Sequence, residues 1–322
     1  MVSTGGGASG GLVALDWGST RLRAWRFDAD GRIAEARSSG DGASRLQGGP
    51  PAFEAALRAV AGDWLADARG VIACGMAGSA HGWRDAGYVP APMSLDALPA
   101  RMVQVPCGPD VTVHIVPGVL SRDASGAPDV MRGEETQLVG LTAVRPALAQ
   151  GALVVMPGTH CKWARLQDGR LVSFSTAMTG ELFALLREHS VLSRLMAPAG
   201  APQAPQAQAL EAFDRGVADA VRAGGREIAR LLFGVRARGL FDELAPAVAP
   251  DYLSGLLIGN EVASAGAPAE MRDRPVVLVG EAALCARYAR ALAQQGLQAE
   301  VHDEPLAAAG LARLAGAAGL YA

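Results

Sequence analysis

Asp16 closes an apolar run, Leu12-Val13-Ala14-Leu15, and Gly18-Ser19-Thr20 follows it after one residue. Glycine lets a backbone come close to a ligand, and hydroxyls beside the amide donors of a tight turn make an anion-binding concavity. A carboxylate at the strand end beside such a loop is placed to hold a cation that accompanies phosphate. A second stretch repeats the pattern: Leu153-Val154-Val155-Met156 leads into Pro157-Gly158-Thr159-His160. Aligning Gly18 with Gly158 pairs Ser19 with Thr159. Two ordinary β-hairpins are the plainer alternative, but two such units facing each other would clasp a polyphosphate from both sides. Glu134 and Glu135 follow Gly133, where they open a helix, and negative charge is favoured there. Their position shortly before the second loop points beyond a dipole role to catalysis. Gly75-Met76-Ala77-Gly78-Ser79-Ala80-His81-Gly82-Trp83 holds three glycines after a short apolar run. In open α/β sheets ligands sit at the carboxyl ends of strands, so this stretch is a candidate substrate loop.

The elements that must position these residues are legible from periodicity. Leu12–Asp16, Leu22–Phe27 and Arg32–Ala36 read as three strands, with a turn at Asp30-Gly31 between the last two. Leu153–Met156, Cys161–Leu166 and Leu171–Thr176 read the same way, with the turn at Asp168-Gly169. An internal repeat constrains the whole fold. Apolar spacing predicts helices over Pro51–Asp67, Leu182–Met196, Leu210–Val221, Glu227–Val235, Tyr252–Ala263, Ala282–Leu292 and Leu306–Leu314. Further strands are expected at Val71–Cys74, Val111–Val116, Val276–Val279 and Gln298–Val301. Pro198–Gln208 reads as a Pro/Ala/Gln linker. The strand ending at Gly280 turns into a helix, a unit that can hold a nucleoside but is common in α/β chains.

The chain has 322 residues, half of them hydrophobic and 19% charged, a globular composition long enough for two domains. Its net charge of −3 offers no basic footprint for nucleic acid. No apolar run is long enough to span a bilayer. Residues 1–11 form a Gly/Ser-rich tail without the features of a signal peptide, so a disordered end and a cytoplasmic protein are expected. The four cysteines, Cys74, Cys107, Cys161 and Cys285, are far apart and fit reduced thiols.

Together these stretches resemble the superfamily that contains actin, hexokinase and related sugar kinases. Asp16–Thr20, Gly75–Ser79 with Gly82-Trp83, Met131–Gln137, Pro157–Trp163 and Met178–Glu181 resemble most the 2-dehydro-3-deoxygalactonokinase family. The resemblance covers nearly the whole chain. It implies an α/β fold of two actin/hexokinase-like (ribonuclease H-like) domains, each a mixed five-stranded-type sheet with flanking helices, around a nucleotide cleft. The domains would be residues 12–150, with the first phosphate loop and substrate loop, and 151–322, with the second phosphate loop and adenosine site.

The activity implied is ATP-dependent phosphorylation of 2-dehydro-3-deoxy-D-galactonate at its 6-hydroxyl, with Mg²⁺. On this reading Asp16 holds Mg²⁺ through water. Gly18, Ser19, Thr20, Gly158, Thr159 and His160 hold the phosphates, and Gly280 belongs to the nucleoside site. Gly75, Met76, Gly78, Ser79, Trp83 and Lys162 are substrate candidates, with Lys162 alternatively on a phosphate. Glu134 is the first choice of general base and Glu135 the second. Arg21, Arg84 and Arg122 are unranked candidates for the substrate carboxylate. Many superfamily members carry an acid at the head of the second loop, where Met156 and Pro157 stand here, and Glu134 or Glu135 can supply that function. Gly133-Glu134-Glu135 also resembles the motif of exopolyphosphatases. Another 2-keto-3-deoxy sugar acid, a phosphohydrolase of that kind and a non-enzymatic sugar sensor are the alternatives. The expected partners are ATP and a small sugar acid, without nucleic acid or membrane, and a homodimer is left open.

Overall fold

The computed structural model describes residues 11–198, 200, 202, 204–265, 274–302 and 305–321. The tail expected over residues 1–11 lies, apart from Gly11, outside the described residues. The chain divides into two compact units. One comprises residues 1–150, 166–173 and 304–322, and the other residues 151–165 and 174–303.

The first unit is built on β1 (Leu12–Trp17), β2 (Leu22–Phe27), β3 (Ile33–Ser39), β4 (Gly70–Gly75), β7 (Val103–Pro106) and β8 (Thr112–Ile115), in the order β3-β2-β1-β4-β8-β7. Every residue of β1 is buried, as expected of a central strand covered on both faces. It pairs antiparallel with β2 and parallel with β4, and β4 pairs parallel with β8. The edge strand β3 alternates half-buried and exposed residues. Helix α1 (Pro50–Leu65) buries Phe53, Leu57, Val60 and Trp64. β5 (Tyr88–Pro90), β9 (Gly118–Arg122) and β10 (Pro128–Met131) form a small sheet that leads into α2 (Glu134–Val144).

Residues 304–322, expected with the second domain, group with the first unit because of a helix crossing. Helix α8 (Leu306–Ala317) meets α2 where both have glycine. A Cβ on Gly310 would stand 1.9 Å from the Thr136 carbonyl oxygen, and one on Gly140 2.1 Å from that of Leu306. Only glycine permits that approach, so the last helix buttresses the turn that carries Glu134 and Glu135.

The second unit contains β11 (Gly151–Met156), β12 (Cys161–Gln167, as far as Arg165), β13 (Arg170–Ala177, from Phe174), β14 (Val276–Val279) and β15 (Ala299–His302). Their order is β13-β12-β11-β14-β15, with β11, β14 and β15 parallel. This repeats the order β3-β2-β1-β4-β8. The tip of the β12–β13 hairpin belongs to the first unit, where Arg170 and Leu171 pair with Ser94 and Met93 of β6 (Met93–Ser94). Its turn residues Asp168 and Gly169 have φ of 50° and 72°, the signature of a two-residue hairpin turn. Helices α3 (Thr179–His189), α4 (Gln206–Arg222), α5 (Ile228–Leu240), α6 (Ala249–Ser264) and α7 (Ala282–Ala293) complete the unit.

The helix expected to reach Met196 stops at His189. Ser190 turns extended, its hydroxyl donates to the Leu186 carbonyl and accepts from the Leu192 amide, and a short 3₁₀ turn follows. The small strands β5, β6, β7, β9 and β10 were not expected. They are two to five residues long, too short to show a period.

Candidate active site

In the first unit, Asp16 is the last residue but one of β1 and its cross-strand neighbour on β2 is Arg23. The Asp16 side chain is buried, and burial pushes its carboxyl up while the Arg23 guanidinium beside it pulls the other way. Arg23 Nη2 stands 2.6 Å from the buried Oδ2 as an ion pair whose geometry falls short of a well-aligned hydrogen bond. The Cys74 thiol lies 3.8 Å from Oδ1. A carboxylate oxygen so placed fits a hydrated cation. Among the described residues no group of three His, Cys, Asp or Glu side chains converges, so protein ligands alone do not complete a metal cage there. The adjoining loop leaves Gly18 half-buried and Ser19 and Thr20 exposed. It is closed by Gly18 N–H to Arg21 O (2.9 Å) and by Ser44 N–H to Ser19 O (2.9 Å).

The expected substrate loop begins at Gly75, whose φ is +81°. Gly133, with φ +105°, packs against it: a Cβ there would stand 3.4 Å from the Gly75 Cα. That contact brings the glutamate turn to the carboxyl end of β4. The two glutamates then diverge. Glu134 is partly exposed and its Oε2 accepts from the Arg132 amide at 2.9 Å. Glu135 is fully buried, accepting from the Gly133 amide (2.7 Å) and the Thr136 hydroxyl (2.9 Å). Burial first, and then the charge of Glu134, pushes the Glu135 carboxyl up to about 7.

Met76 and Ser79 are partly exposed and Gly78 is buried. Trp83 does not fit the expected substrate contact. It is 4% exposed and packs against Trp17 and Phe53, with ring centroids 5.8 and 6.1 Å away. A large apolar ring next to a glycine-rich loop gains more from that core than from solvent.

The sequence reading missed Arg132. Its Nη1 would lie 2.8 Å from a Cβ on Gly78, its Nη2 donates to Gly87 O at 3.0 Å, and its guanidinium stands 4.4 Å from the Tyr88 ring centroid. Its Nε and Nη1 are buried without a hydrogen-bond partner among the described residues. By contrast, Arg21, Arg84 and Arg122 are exposed.

In the second unit the loop Gly158-Thr159-His160 leaves β11 as the first loop leaves β1. Thr159 and His160 are exposed like Ser19 and Thr20. The Glu181 amide donates to Thr159 O at 3.0 Å, the counterpart of Ser44 on Ser19. His160 Nε2 lies 2.5 Å from Glu181 Oε2. Lys162 is 6% exposed and donates to Thr176 Oγ1 at 2.9 Å, so its ammonium is held inside the unit. Gly280 lies against the loop: a Cβ there would be 3.0 Å from Pro157 O. Glu281 caps α7, accepting from Ala283 N–H (3.0 Å) and Leu284 N–H (2.9 Å).

A cavity of about 1060 Å³ opens in this unit, with Gly158, Thr179, Gly180, Ser254, Leu284 and Arg287 among its walls. It is large enough for a nucleotide. The stretch read as a linker supplies part of the wall, including Pro198 and Pro202. Its composition has no periodicity to betray that role.

Two units that repeat one strand order, each with a glycine–hydroxyl loop leaving its first strand, define an α/β protein of the ribonuclease H-like class. The family model described as 2-keto-3-deoxy-galactonokinase matches residues 16–314. The 2-dehydro-3-deoxygalactonokinase of Escherichia coli (strain K12) is 38% identical over 290 residues, 88% of this chain and 90% of that one. A Rhizobium meliloti (strain 1021) protein carrying the same name in provisional form is 40% identical over 298 residues, 92% and 93% of the two chains. A solved Sinorhizobium meliloti protein, provisionally assigned the same way, superposes with a TM-score of 0.82 at 38% identity, over 95% of this chain and 98% of that one. The chain belongs to the 2-keto-3-deoxy-galactonokinase family, and it is a carbohydrate kinase that uses ATP.

Proposed function

We propose that this protein transfers the γ-phosphoryl group of ATP to the 6-hydroxyl of 2-dehydro-3-deoxy-D-galactonate, as a cytoplasmic step of galactonate and galactose breakdown. The observation that carries the reading is the buried carboxylate of Asp16, paired only with Arg23 and the Cys74 thiol among the described residues, at the mouth of the first glycine loop in a chain of this family. Asp16 would hold Mg²⁺ through water, and the bound ion would neutralise phosphate charge. Until a cation arrives, Arg23 balances the Asp16 charge.

The loop Gly18, Ser19 and Thr20 of the first unit and the loop Gly158, Thr159 and His160 of the second are each a phosphate-binding loop. The nucleoside lies in the second-unit cavity, and Gly280, packed against Pro157, shapes the loop that leads to its Gly158 wall. Gly75, Met76, Gly78 and Ser79 hold the sugar acid, and Arg132 supplies positive charge beside Gly78. Glu134, the accessible member of the pair, takes the proton of the 6-hydroxyl as the oxygen bonds to phosphorus. The bond to the bridging oxygen breaks, and ADP leaves with that electron pair. Glu135 is buried and keeps the turn in shape. Phosphoryl transfer needs this positioning and charge neutralisation more than covalent help.

The test is ADP release with ATP and a panel of 2-keto-3-deoxy sugar acids and common hexoses. Turnover should be highest with the galactonate-derived acid. A preference for its C4 epimer would reassign the substrate within the class, and turnover of polyphosphate without a sugar acid would replace the kinase reading altogether. Sedimentation of the purified chain tests the homodimer.

A further inference from the structure

Glu261 is a carboxylate inside the apolar helix α6, between Ile258 and Val262, and is 5% exposed. It accepts three side-chain hydrogen bonds from three other elements. Trp163 Nε1 on β12 donates to Oε1 at 2.5 Å, and Tyr288 OH on α7 donates to Oε2 at 2.6 Å. The hydroxyl of Thr179, the first residue of α3, also donates to Oε2. Among the described residues no ion pair with Lys or Arg accompanies it. A buried carboxylate is costly unless fully hydrogen-bonded, and three neutral donors meet that need here. Apolar packing would serve stability as well or better, so the carboxylate calls for another explanation.

The donors supply one. Thr179 and Tyr288 both line the cavity. Thr179 precedes Gly180, whose Cβ position is 2.3 Å from the Gly158 carbonyl oxygen, and the next residue, Glu181, binds Thr159 O. Glu261 therefore stands behind the place where the second phosphate loop, the start of α3 and the α7 wall of the cavity meet. We infer that Glu261 is a positioning residue for the nucleotide. It fixes the Thr179 hydroxyl and the Tyr288 ring so that loop and cavity are preformed before ATP enters. The inference rests on the reading that this cavity takes the nucleoside.

Glu261→Gln keeps size and shape but puts an NH₂ where Oε2 accepted two bonds. Trp163 can only donate, so the amide oxygen stays on its side. The Thr179 and Tyr288 hydroxyls must then reverse to accept. Hydrogen bonds to charged groups are the stronger ones, and their loss from a preformed site costs affinity.

The experiment measures the ATP dissociation constant by calorimetry without sugar acid, steady-state constants for both substrates and thermal midpoints, for wild type, Glu261→Gln, Thr179→Val and the double variant. We expect Glu261→Gln to weaken ATP binding by about tenfold and to change the sugar-acid KM less than about twofold. On the Thr179→Val background the same change should cost clearly less, because the shared contact is already gone. Equal effects on both substrates, or full additivity with Thr179→Val, would overturn the inference, as would a lowered thermal midpoint with ATP affinity intact. A wild type that binds ATP beside an unaffected Glu261→Gln overturns this inference alone. A wild type that binds no ATP overturns the proposed function as well.

Discussion

Two acids of one short turn have been given different environments, and their chemistry should separate accordingly. Glu134 is partly exposed and Glu135 fully buried, as adjacent helical residues facing different ways must be. Glu134→Gln should lower kcat by roughly 10²–10⁴, the usual worth of a positioned general base, with ATP affinity unchanged. Steady-state kinetics beside direct nucleotide titration measures this, and a wild-type kcat would place the base elsewhere.

Glu135 should instead show itself in stability. Its carboxyl is raised to about 7 from an ordinary 4.5, so between those values the native state holds a proton that the unfolded chain has released. Stability is then greatest near and below pH 4.5 from this group, falls as pH rises through 7 and is flat beyond. The loss is at most about 3 kcal/mol. Urea midpoints from pH 5 to 8 should slope less in Glu135→Gln than in wild type, and equal slopes would refute the assignment. Asp16→Asn should keep the fold, since an amide of the same shape still presents an oxygen to Arg23, yet lose Mg²⁺-dependent turnover by at least about 10²-fold. Turnover at ordinary Mg²⁺ concentrations reports the outcome, and near-normal rates would remove Asp16 from the metal site.

At the scale of elements, the glutamate turn is held by a helix that arrives from the far end of the chain. A Cβ on Gly310 would meet the Thr136 carbonyl oxygen, a backbone atom that cannot swing aside. Gly310→Val should therefore destabilise by about 1–3 kcal/mol, the scale of overpacking, and reduce kcat with it. Gly316→Ala on the same helix is the control: nothing lies within 4 Å of its Cβ position, so stability should hold or rise. Chemical denaturation of the two variants decides the matter. If both behave alike, the crossing does not hold the turn.

At the scale of the whole molecule, each unit carries its own glycine–hydroxyl loop, but their other equipment differs. The first has the acids and the glycine-rich loop beginning at Gly75, and the second has the cavity. The nucleoside and the sugar acid should thus be felt in different units. In hydrogen exchange, a non-hydrolysable ATP analogue alone should protect amides at 18–20, the first phosphate loop, and at 158–160, 179–181 and 282–287. The sugar acid alone should protect 75–79 and 133–135. The reverse pattern would exchange the roles proposed for the two units.

The sequence by itself determined the repeat. Leu12–Leu15 and Leu153–Met156 are uninterrupted apolar runs because central strands are covered on both faces, and the glycine turns after them are local features of backbone conformation. Asp16, Ser19, Thr159 and the Glu134–Glu135 pair were legible for the same reason: residue type and near neighbours carry the signal. What depends on distant parts of the chain was decided only in the tertiary structure. Trp83 went to the core because Trp17 and Phe53 wait there, and Arg132 reached Gly78 across more than fifty residues. Glu261 found Trp163, Thr179 and Tyr288 on three other elements, although an acid deep in the apolar part of its helix was a signal open to reading. The last helix joined the first unit through a glycine crossing that no local period announces. Such contacts depend on shape and burial between segments far apart in sequence, and periodicity along one segment does not contain them.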